Sequence, residues 1–307
     1  MKKKLALILI VLIILTLVSI AVVIKLTTDK YAKEIELSMN QALYEASKEE
    51  MNIAYDNFTC SGFVQIKCFN PMIKIGDDNY NVNLREINLK IKPKLKSARI
   101  LGDLKYDFLD SINNKSHIDL YAEIDPDTGI LGIDFLTGGT YKELINNYKG
   151  KINLQSDFYK GKTFLKLSKA YRELGEDEYV KQIGVSKIGI EKLVMSFEGK
   201  KLSEDVLKFF KDLGLSITGD DILQYSNYGV VMLSGILDNV KEAELITSLY
   251  KAGKDLEKVF ADGVNYYEIE LQTKEKDVLK QLIDFENLES IDSFSNLFKV
   301  SSSNTKK

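Results

Sequence analysis

The spacing of hydrophobic and polar positions divides the 307-residue chain into three parts. Residues 5–24 form an uncharged and almost wholly apolar run. Between Thr28 and Tyr55 the hydrophobic residues recur at alternating spacings of three and four, which is the period of one helix face. From Phe58 the period falls to two, as in strands with one face turned to solvent. The pattern therefore predicts an apolar segment, a helix and a strand-rich domain, in that order.

The apolar segment has the length and the flanking charge of a membrane anchor. As a helix, residues 5–24 would extend about 30 Å, the thickness of the hydrocarbon core of a bilayer. Lys2, Lys3 and Lys4 precede it, so the positive-inside rule places the N-terminus in the cytoplasm. We therefore expect a transmembrane signal anchor over residues 1–25, with the bulk of the chain outside the cytoplasm. The alternative is a signal peptide cleaved near Ala21, although the apolar run continues to Ile24.

The second part, residues 26–56, is predicted to be an amphipathic helix or stalk. Its apolar stripe is rich in alanine and lasts barely two heptads. Such a stripe serves either to pair with a partner helix or to pack onto the following domain, and its short length favours packing. The stripe consists of Ala32, Ile35, Met39, Ala42 and Ala46.

The third part begins with long alternating runs that predict antiparallel strands over residues 58–168. The alternation in Val82–Ile91 changes parity near Arg85–Glu86, which predicts a β-bulge. Farther along, Thr140 and Glu143 match a capping box and predict a helix over Tyr141–Tyr148. Further helices are predicted over Glu204–Leu213 and Lys241–Phe260, and a central covered strand over Val230–Leu237.

The predicted fold class is therefore α+β: an N-terminal transmembrane helix, then a mainly antiparallel β-sheet domain with packed amphipathic helices. The exported α+β domain is expected to cover residues 57–300, and a subdivision is considered near residue 170. The polar residues 301–307 are expected to form a disordered tail.

The amino-acid composition limits which partners and which kinds of functional site the chain can have. The chain has 42 Lys and Arg residues against 45 Asp and Glu, a net charge of −3, which argues against a nucleic-acid partner. One histidine and two cysteines rule out a cysteine/histidine zinc site. His117 lies beside Ser116 and near Asp119, but serine and histidine point to opposite faces of a strand, so they form no catalytic triad. No catalytic residue, no metal site and no cofactor is therefore assigned.

The two cysteines, Cys60 and Cys68, are predicted to form a disulfide, since a cysteine pair outside the cytoplasm is most often bridged. In one straight strand they would be about 26 Å apart, so the chain has to reverse between them. Gly62 is the only turn-forming residue available, and it lies off-centre. Two reduced thiols are the alternative, while a redox-active pair is disfavoured because the spacing is not C-x-x-C.

Behind the lysine-headed anchor and the alternating strands, the chain contains loosely repeated units. Two examples are MSFEGKKLSEDVLKFFKDL at residues 195–213 and IDFLTGGTYKELINNY at residues 133–148. In this pattern the chain resembles the YdgA-like bacterial envelope proteins, over much of residues 1–215. The resemblance implies a single-pass inner-membrane protein with a large periplasmic domain. It carries no site residue across, and this chain is shorter than is usual for that group.

The leading functional hypothesis is a membrane-anchored, non-enzymatic envelope scaffold or partner-binding module. The alternatives are binding or transfer of a lipid or other apolar ligand, and a hydrolase using an unidentified carboxylate pair. The inner membrane, through residues 5–24, and an envelope protein or a lipid are the expected partners. The early strands lack helices nearby in sequence, so either distant helices close over them, which is favoured, or an apolar groove stays open. That groove would be lined by Leu89, Ile91, Leu104, Tyr106, Leu120 and Ala122.

Overall fold

The computed structural model describes residues 25–48, 53–63, 65–70, 72–77, 80–94, 96–108, 111–212, 216–224, 228, 243–284 and 297–306. Within these ranges thirteen strands join in one sheet, and every strand pairing is antiparallel.

The strands are β1 Ile53–Tyr55, β2 Thr59–Gly62, β3 Ile66–Asn70, β4 Ile73–Asp77, β5 Tyr80–Pro93, β6 Ser97–Phe108, β7 Ser111–Asp125, β8 Ile130–Tyr141, β9 Leu144–Gln155, β10 Lys187–Glu198, β11 Tyr266–Thr273, β12 Ile283–Asp284 and β13 Phe298–Ser303. The helices are α1 (residues 25–46), α2 Phe164–Leu174, α3 Glu176–Ile183, α4 Leu202–Asp212, α5 (residues 219–224), α6 Ala243–Ala261 and α7 Val278–Gln281. A 3₁₀ turn, Asp157–Tyr159, follows β9. The main path through the sheet is β1-β4-β5-β6-β7-β8-β9-β10-β11-β13, while β3 pairs with β2 and β5, and β12 pairs with β10.

The register of the sheet gathers the hydrophobic side chains on one face. Directly opposed residues in antiparallel strands point to the same side, so a row of partners can be followed across the whole sheet. One such row, from β5 to β13, consists of Ile91, Ile100, Leu120, Phe135, Gly150, Leu193, Leu271 and Val300. The adjacent row, on the opposite face, consists of Lys92, Arg99, Tyr121, Asp134, Lys151, Lys192, Gln272 and Lys299.

Two register shifts keep these rows aligned. One lies in β5 between Leu84 and Glu86, which confirms the bulge predicted near Arg85–Glu86. The other lies in β10 between Ile190 and Lys192. Each inserts one extra residue, and so restores the apolar face after the sequence changes parity.

Helices cover the apolar face at three places. The first cluster joins α1 to β3, β4 and β5. The second joins the 3₁₀ turn and α2 to the ends of β7, β8 and β9. In that region Tyr179 of α3 packs edge-on against Phe158 and Tyr171, and burial raises the pKa of Tyr179 to about 12. The third cluster joins α4 and α6 to β9, β10 and β11.

The predicted α+β class is wrong, because the described fold is mainly one antiparallel sheet with few helices. The helix predicted over Tyr141–Tyr148 is instead the end of β8, a tight turn and the start of β9. Lys142 takes a positive φ of 54° in that turn, and Leu144 is buried. The alternating pattern thus prevails over the local capping motif, since pairing with both neighbouring strands satisfies the backbone of this segment.

The predicted transmembrane helix has no counterpart among the described residues. Residues 5–24 lie outside the described ranges, and no helix within those ranges is long and apolar enough to cross a membrane. The predicted strand Val230–Leu237 also lies outside the described residues. The helices predicted over Glu204–Leu213 and Lys241–Phe260 correspond to α4 and α6.

The C-terminal end of the chain differs from the expected disordered tail. β13 extends to Ser303 and pairs with β11, so the sheet also continues well past residue 170. The carboxylate of Asp255 on α6 is only 5% exposed and accepts a hydrogen bond of 2.7 Å from the hydroxyl of Ser302. Asn304 and Lys258 reach the other carboxylate oxygen at 3.4 and 3.1 Å. These bonds attach the last strand to the helix above it.

Cys60 of β2 and Cys68 of β3 stand directly opposite each other and are joined by a disulfide, with their Cα atoms 4.1 Å apart. The reversal that the sequence requires is made just after Gly62. A Cβ at Gly62 would lie 2.0 Å from the carbonyl oxygen of Gln65, so this turn accepts no side chain there. The hairpin is thus closed by a glycine at its turn and a covalent bond between its strands.

We expect Asp255→Ala to lower the free energy of unfolding by about 1–3 kcal/mol, since it leaves the buried hydroxyl of Ser302 without its acceptor. Urea unfolding and limited proteolysis of the C-terminal strand would measure this. The control is Glu257→Ala on the same helix, whose partner Lys254 is substantially exposed. Equal stability of the two variants would contradict the attachment of β13 through Asp255.

Reduction of the disulfide should lower the free energy of unfolding by about 2.5 kcal/mol, because it releases a short closed loop in the unfolded chain. Urea unfolding with and without reductant measures the difference. A Cys60→Ala/Cys68→Ala variant is the control and should not respond to reductant. Identical unfolding midpoints for the oxidised and reduced wild-type chains would refute the stabilising role of the bridge.

Candidate functional site: an apolar crevice beneath the first helix

A crevice of about 280 Å³ lies between α1, the strands β5 and β6, and the first residue of α2. Its walls are almost entirely hydrophobic, with Glu34 and Ser38 as the polar contributors. The apolar lining consists of Tyr31, Ile35, Met39, Leu89, Ile91, Ala98, Ile100 and Phe164. Concave, mainly apolar sites with a few polar groups are where small ligands usually bind.

The crevice exists because α1 contacts the sheet closely at one point and less closely at others. Ala32 is 3% exposed and belongs to the first hydrophobic cluster, whereas Ile35 and Met39 of the same stripe are only partly buried. A small residue lets a helix backbone approach its neighbour, while larger residues one turn later hold it off. The predicted stripe of α1 thus packs onto the domain and still leaves space between its larger side chains and the sheet.

Hydrogen bonds fix the position of α1 over the hairpin. The side chain of Asn40 accepts a bond of 2.7 Å from the backbone N–H of Phe58 and donates one of 3.0 Å to its carbonyl oxygen. Glu36 accepts a bond of 2.9 Å from the backbone N–H of Cys60. A hydrogen bond from Lys33, together with that from Cys60, lowers the pKa of Glu36. These contacts tie the helix to the chain segment around the disulfide.

A second set of polar contacts joins α1 to α2. The guanidinium of Arg172 lies 2.5 Å from the carboxylate of Glu34, and the hydroxyl of Tyr171 donates a bond of 3.2 Å to Glu45. The side chains of Glu34 and Arg172 are 21% and 26% exposed, so their ion pair is partly shielded from water. Because Glu34 also lines the crevice, this pair is the charged group nearest to the apolar space.

The six residues predicted to line a groove all lie on the apolar face, but the structure does not bring them all to one site. Leu89 and Ile91 line the crevice, and Leu104 packs in the same cluster. Tyr106, Leu120 and Ala122 lie on the same face but do not line the crevice. Burial raises the pKa of Tyr106. Ala122 is buried and lies two residues from Leu120 on β7. The sequence offered two alternatives for this face, closure by distant helices and an open apolar groove. Neither describes it fully, since helices cover the face and a crevice remains.

The predicted groove left out several residues of the lining, among them Ala98, Ile100 and Phe164. Phe164 is the first residue of α2, and Thr163 caps that helix by accepting a bond from the backbone N–H of Lys166. The threonine before an apolar periodic run was the available signal for a helix start. No local signal could have told that this start lies over β6.

On the opposite face of the sheet, paired charged side chains line two open hollows of about 600 and 460 Å³. Arg99 bonds both carboxylate oxygens of Asp119, at 2.9 and 2.7 Å, and this lowers the pKa of Asp119. Lys151 lies 2.6 Å from Glu191. Among the described residues, no group of three or more His, Cys, Asp and Glu side chains is placed to hold a metal ion.

A hydrolase acid needs a raised pKa, because it has to stay protonated near neutral pH. Among the described residues, every carboxyl group whose pKa is shifted has a lowered pKa, and hydrogen bonds are the main cause. The hydrolase alternative therefore gains no support from these groups. Asp125 closes the turn before β8 by accepting hydrogen bonds from the backbone N–H of Asp127 and the hydroxyl of Thr128, which lower its pKa. The carboxyl groups with a lowered pKa are Glu36, Glu86, Asp119, Asp125, Asp221 and Glu275.

The chain matches no known protein-family model, and it has no significant match among curated proteins. The resemblance to YdgA-like envelope proteins therefore rests on the sequence pattern and stays a prediction. The functional interpretation of the crevice depends on its geometry and chemistry.

Arg172→Met should loosen α1, because it removes the charge that pairs with Glu34 while keeping the aliphatic part of the side chain. We expect faster amide hydrogen exchange in residues 25–46 and a loss of about 1–2 kcal/mol in the free energy of unfolding. The control is Lys169→Met on the same helix, whose pair with Glu173 is well exposed. Unchanged exchange of α1 in Arg172→Met would show that this ion pair does not hold the helix.

Proposed function

We propose that this protein is an extracytoplasmic, non-enzymatic binding protein that holds a hydrocarbon chain of a lipid, or another apolar ligand, in the crevice beneath α1. The single observation that carries the proposal is the crevice itself, an open space of about 280 Å³ that is lined almost entirely by hydrophobic side chains. Each methylene group that moves from water into such a space contributes about 0.8 kcal/mol to binding.

The size of the crevice limits what it can take. Sites for drug-sized molecules usually measure about 300–1,000 Å³. The crevice lies at the lower end of that range, so it fits part of one acyl chain and not a whole lipid. The Glu34–Arg172 pair beside it offers a charged group to a polar head, because Arg172 would pair equally well with a carboxylate or phosphate.

Two features support a location outside the cytoplasm. The Cys60–Cys68 disulfide favours an oxidising compartment, since cytosolic thiols are kept reduced. The uncharged run at residues 5–24, behind Lys2, Lys3 and Lys4, is typical of a segment that directs export into or across the bacterial inner membrane. We therefore propose that the sheet and its crevice lie on the periplasmic side of that membrane.

A scaffold or partner-binding role is the second candidate. It is favoured by the opposed pair Tyr148 and Met195, which lie on the apolar face and are still 36% and 37% exposed. Exposed apolar side chains on such a face are typical of contacts with another protein. This role needs no ligand in the crevice, and the following experiment separates the two.

A fatty acid with a photoreactive diazirine in its chain, added to bacterial membranes that contain the full-length protein, should label peptides from α1, β5 or β6. Ala98→Phe should reduce this labelling about ten-fold, because the added ring occupies the crevice. The control is Ala54→Phe, which adds the same ring at an exposed position in β1. Circular dichroism would verify that both variants fold.

Labelling spread evenly over the chain, or unchanged in Ala98→Phe, would contradict ligand binding in the crevice. The scaffold or partner-binding role would then be the better account of the exposed pair Tyr148 and Met195.

A further inference from the structure

Two large hydrophobic side chains are exposed together at the start of α1. Leu26 is 65% exposed, and Phe63, in the turn between β2 and β3, is 47% exposed. The ammonium group of Lys25 donates a hydrogen bond of 3.0 Å to the carbonyl oxygen of Gly62, and the hydroxyl of Thr28 donates one to that of Phe63. The turn and the first residues of the helix therefore form one surface, here called the hairpin tip.

The hairpin tip is held rigidly. Gly62 permits a turn that no other residue would fit, and the disulfide closes the two strands behind it. Thr28 is buried beneath the turn. Exposing Phe63 on such a fixed turn costs hydrophobic free energy, since the side chain cannot fold back onto the core.

The position of the tip in the chain indicates what covers it. Lys25 is the first charged residue after the uncharged run at residues 5–24 and also the first described residue of α1. If that run stays in the bilayer as an uncleaved anchor, Lys25 lies at the level of the headgroups. Leu26 and Phe63 then lie at the same level, because Lys25 is bonded to the turn that carries Phe63.

We propose that the hairpin tip docks into the interface of the lipid bilayer, with Leu26 and Phe63 inserted among the headgroups and upper acyl chains. Apolar and aromatic side chains beside a lysine are the usual composition of such interfacial contacts. The docking orients α1 outward from the membrane. Ile35 follows Lys25 by ten residues, about 15 Å along the helix, so the crevice opens near the bilayer surface.

The chain contains no tryptophan, so one introduced tryptophan reports its own surroundings. We would place the full-length Phe63→Trp variant in vesicles of phosphatidylcholine and phosphatidylglycerol whose acyl chains carry bromine near the headgroup. Its emission should shift to the blue and lose about half of its intensity relative to vesicles without bromine. The matched control is Phe69→Trp, an exposed aromatic position in β3 away from the turn, which should not be quenched.

This inference rests on the proposed location, and flotation of the vesicles separates the two. Protein that floats with the vesicles while Phe63→Trp stays unquenched overturns the docking and leaves the membrane location standing. Protein that fails to float overturns both the docking and the retention of residues 5–24 in the bilayer. Equal quenching of the Phe63→Trp and Phe69→Trp variants also overturns the docking, because it shows contact along the whole hairpin and not at its tip.

Discussion

The strand register is the constraint on which the rest of this structure depends. Because opposed residues in an antiparallel sheet share a face, a row that begins at Ile91 on β5 stays apolar through Leu193 on β10 to Val300 on β13. A one-residue slip in any strand would turn its hydrophobic set into water. The bulges at Leu84–Glu86 and Ile190–Lys192 are therefore as important as the strands themselves, since each corrects the parity of one strand.

A continuous apolar face has to be covered, and the helices do so in separate patches. α1, α2 and the α4–α6 pair each lie over a different part of the sheet. Rigid helices meet a twisted sheet closely only over short distances. This geometry explains the space between Ile35 of α1 and Leu89 of β5. The helix is anchored to the sheet at Ala32 and to α2 through the Glu34–Arg172 pair, and the crevice beneath the helix stays unfilled.

The charged face has a different role. Pairs such as Arg99–Asp119 and Lys151–Glu191 join neighbouring strands, but their side chains are 29–51% exposed, and exposed ion pairs contribute little to stability. The same face also opposes like charges, since Lys92 faces Arg99 and Lys151 faces Lys192. This face gives the sheet one side that stays hydrated, and the opposite, apolar side holds the crevice that we propose for lipid.

The sequence by itself determined the local features: alternating strands, the bulge near Arg85–Glu86, the α4 and α6 helices, and the apolar stripe of α1. These follow from periods of two and 3.6 residues, which act over short stretches of chain. It failed at Tyr141–Tyr148, where a capping motif was outweighed by pairing with strands on both sides. Only the tertiary structure decided that α1 lies over β5, that Phe164 closes the crevice and that Phe63 lies beside Lys25, because these contacts join residues far apart in sequence and depend on how rigid elements meet.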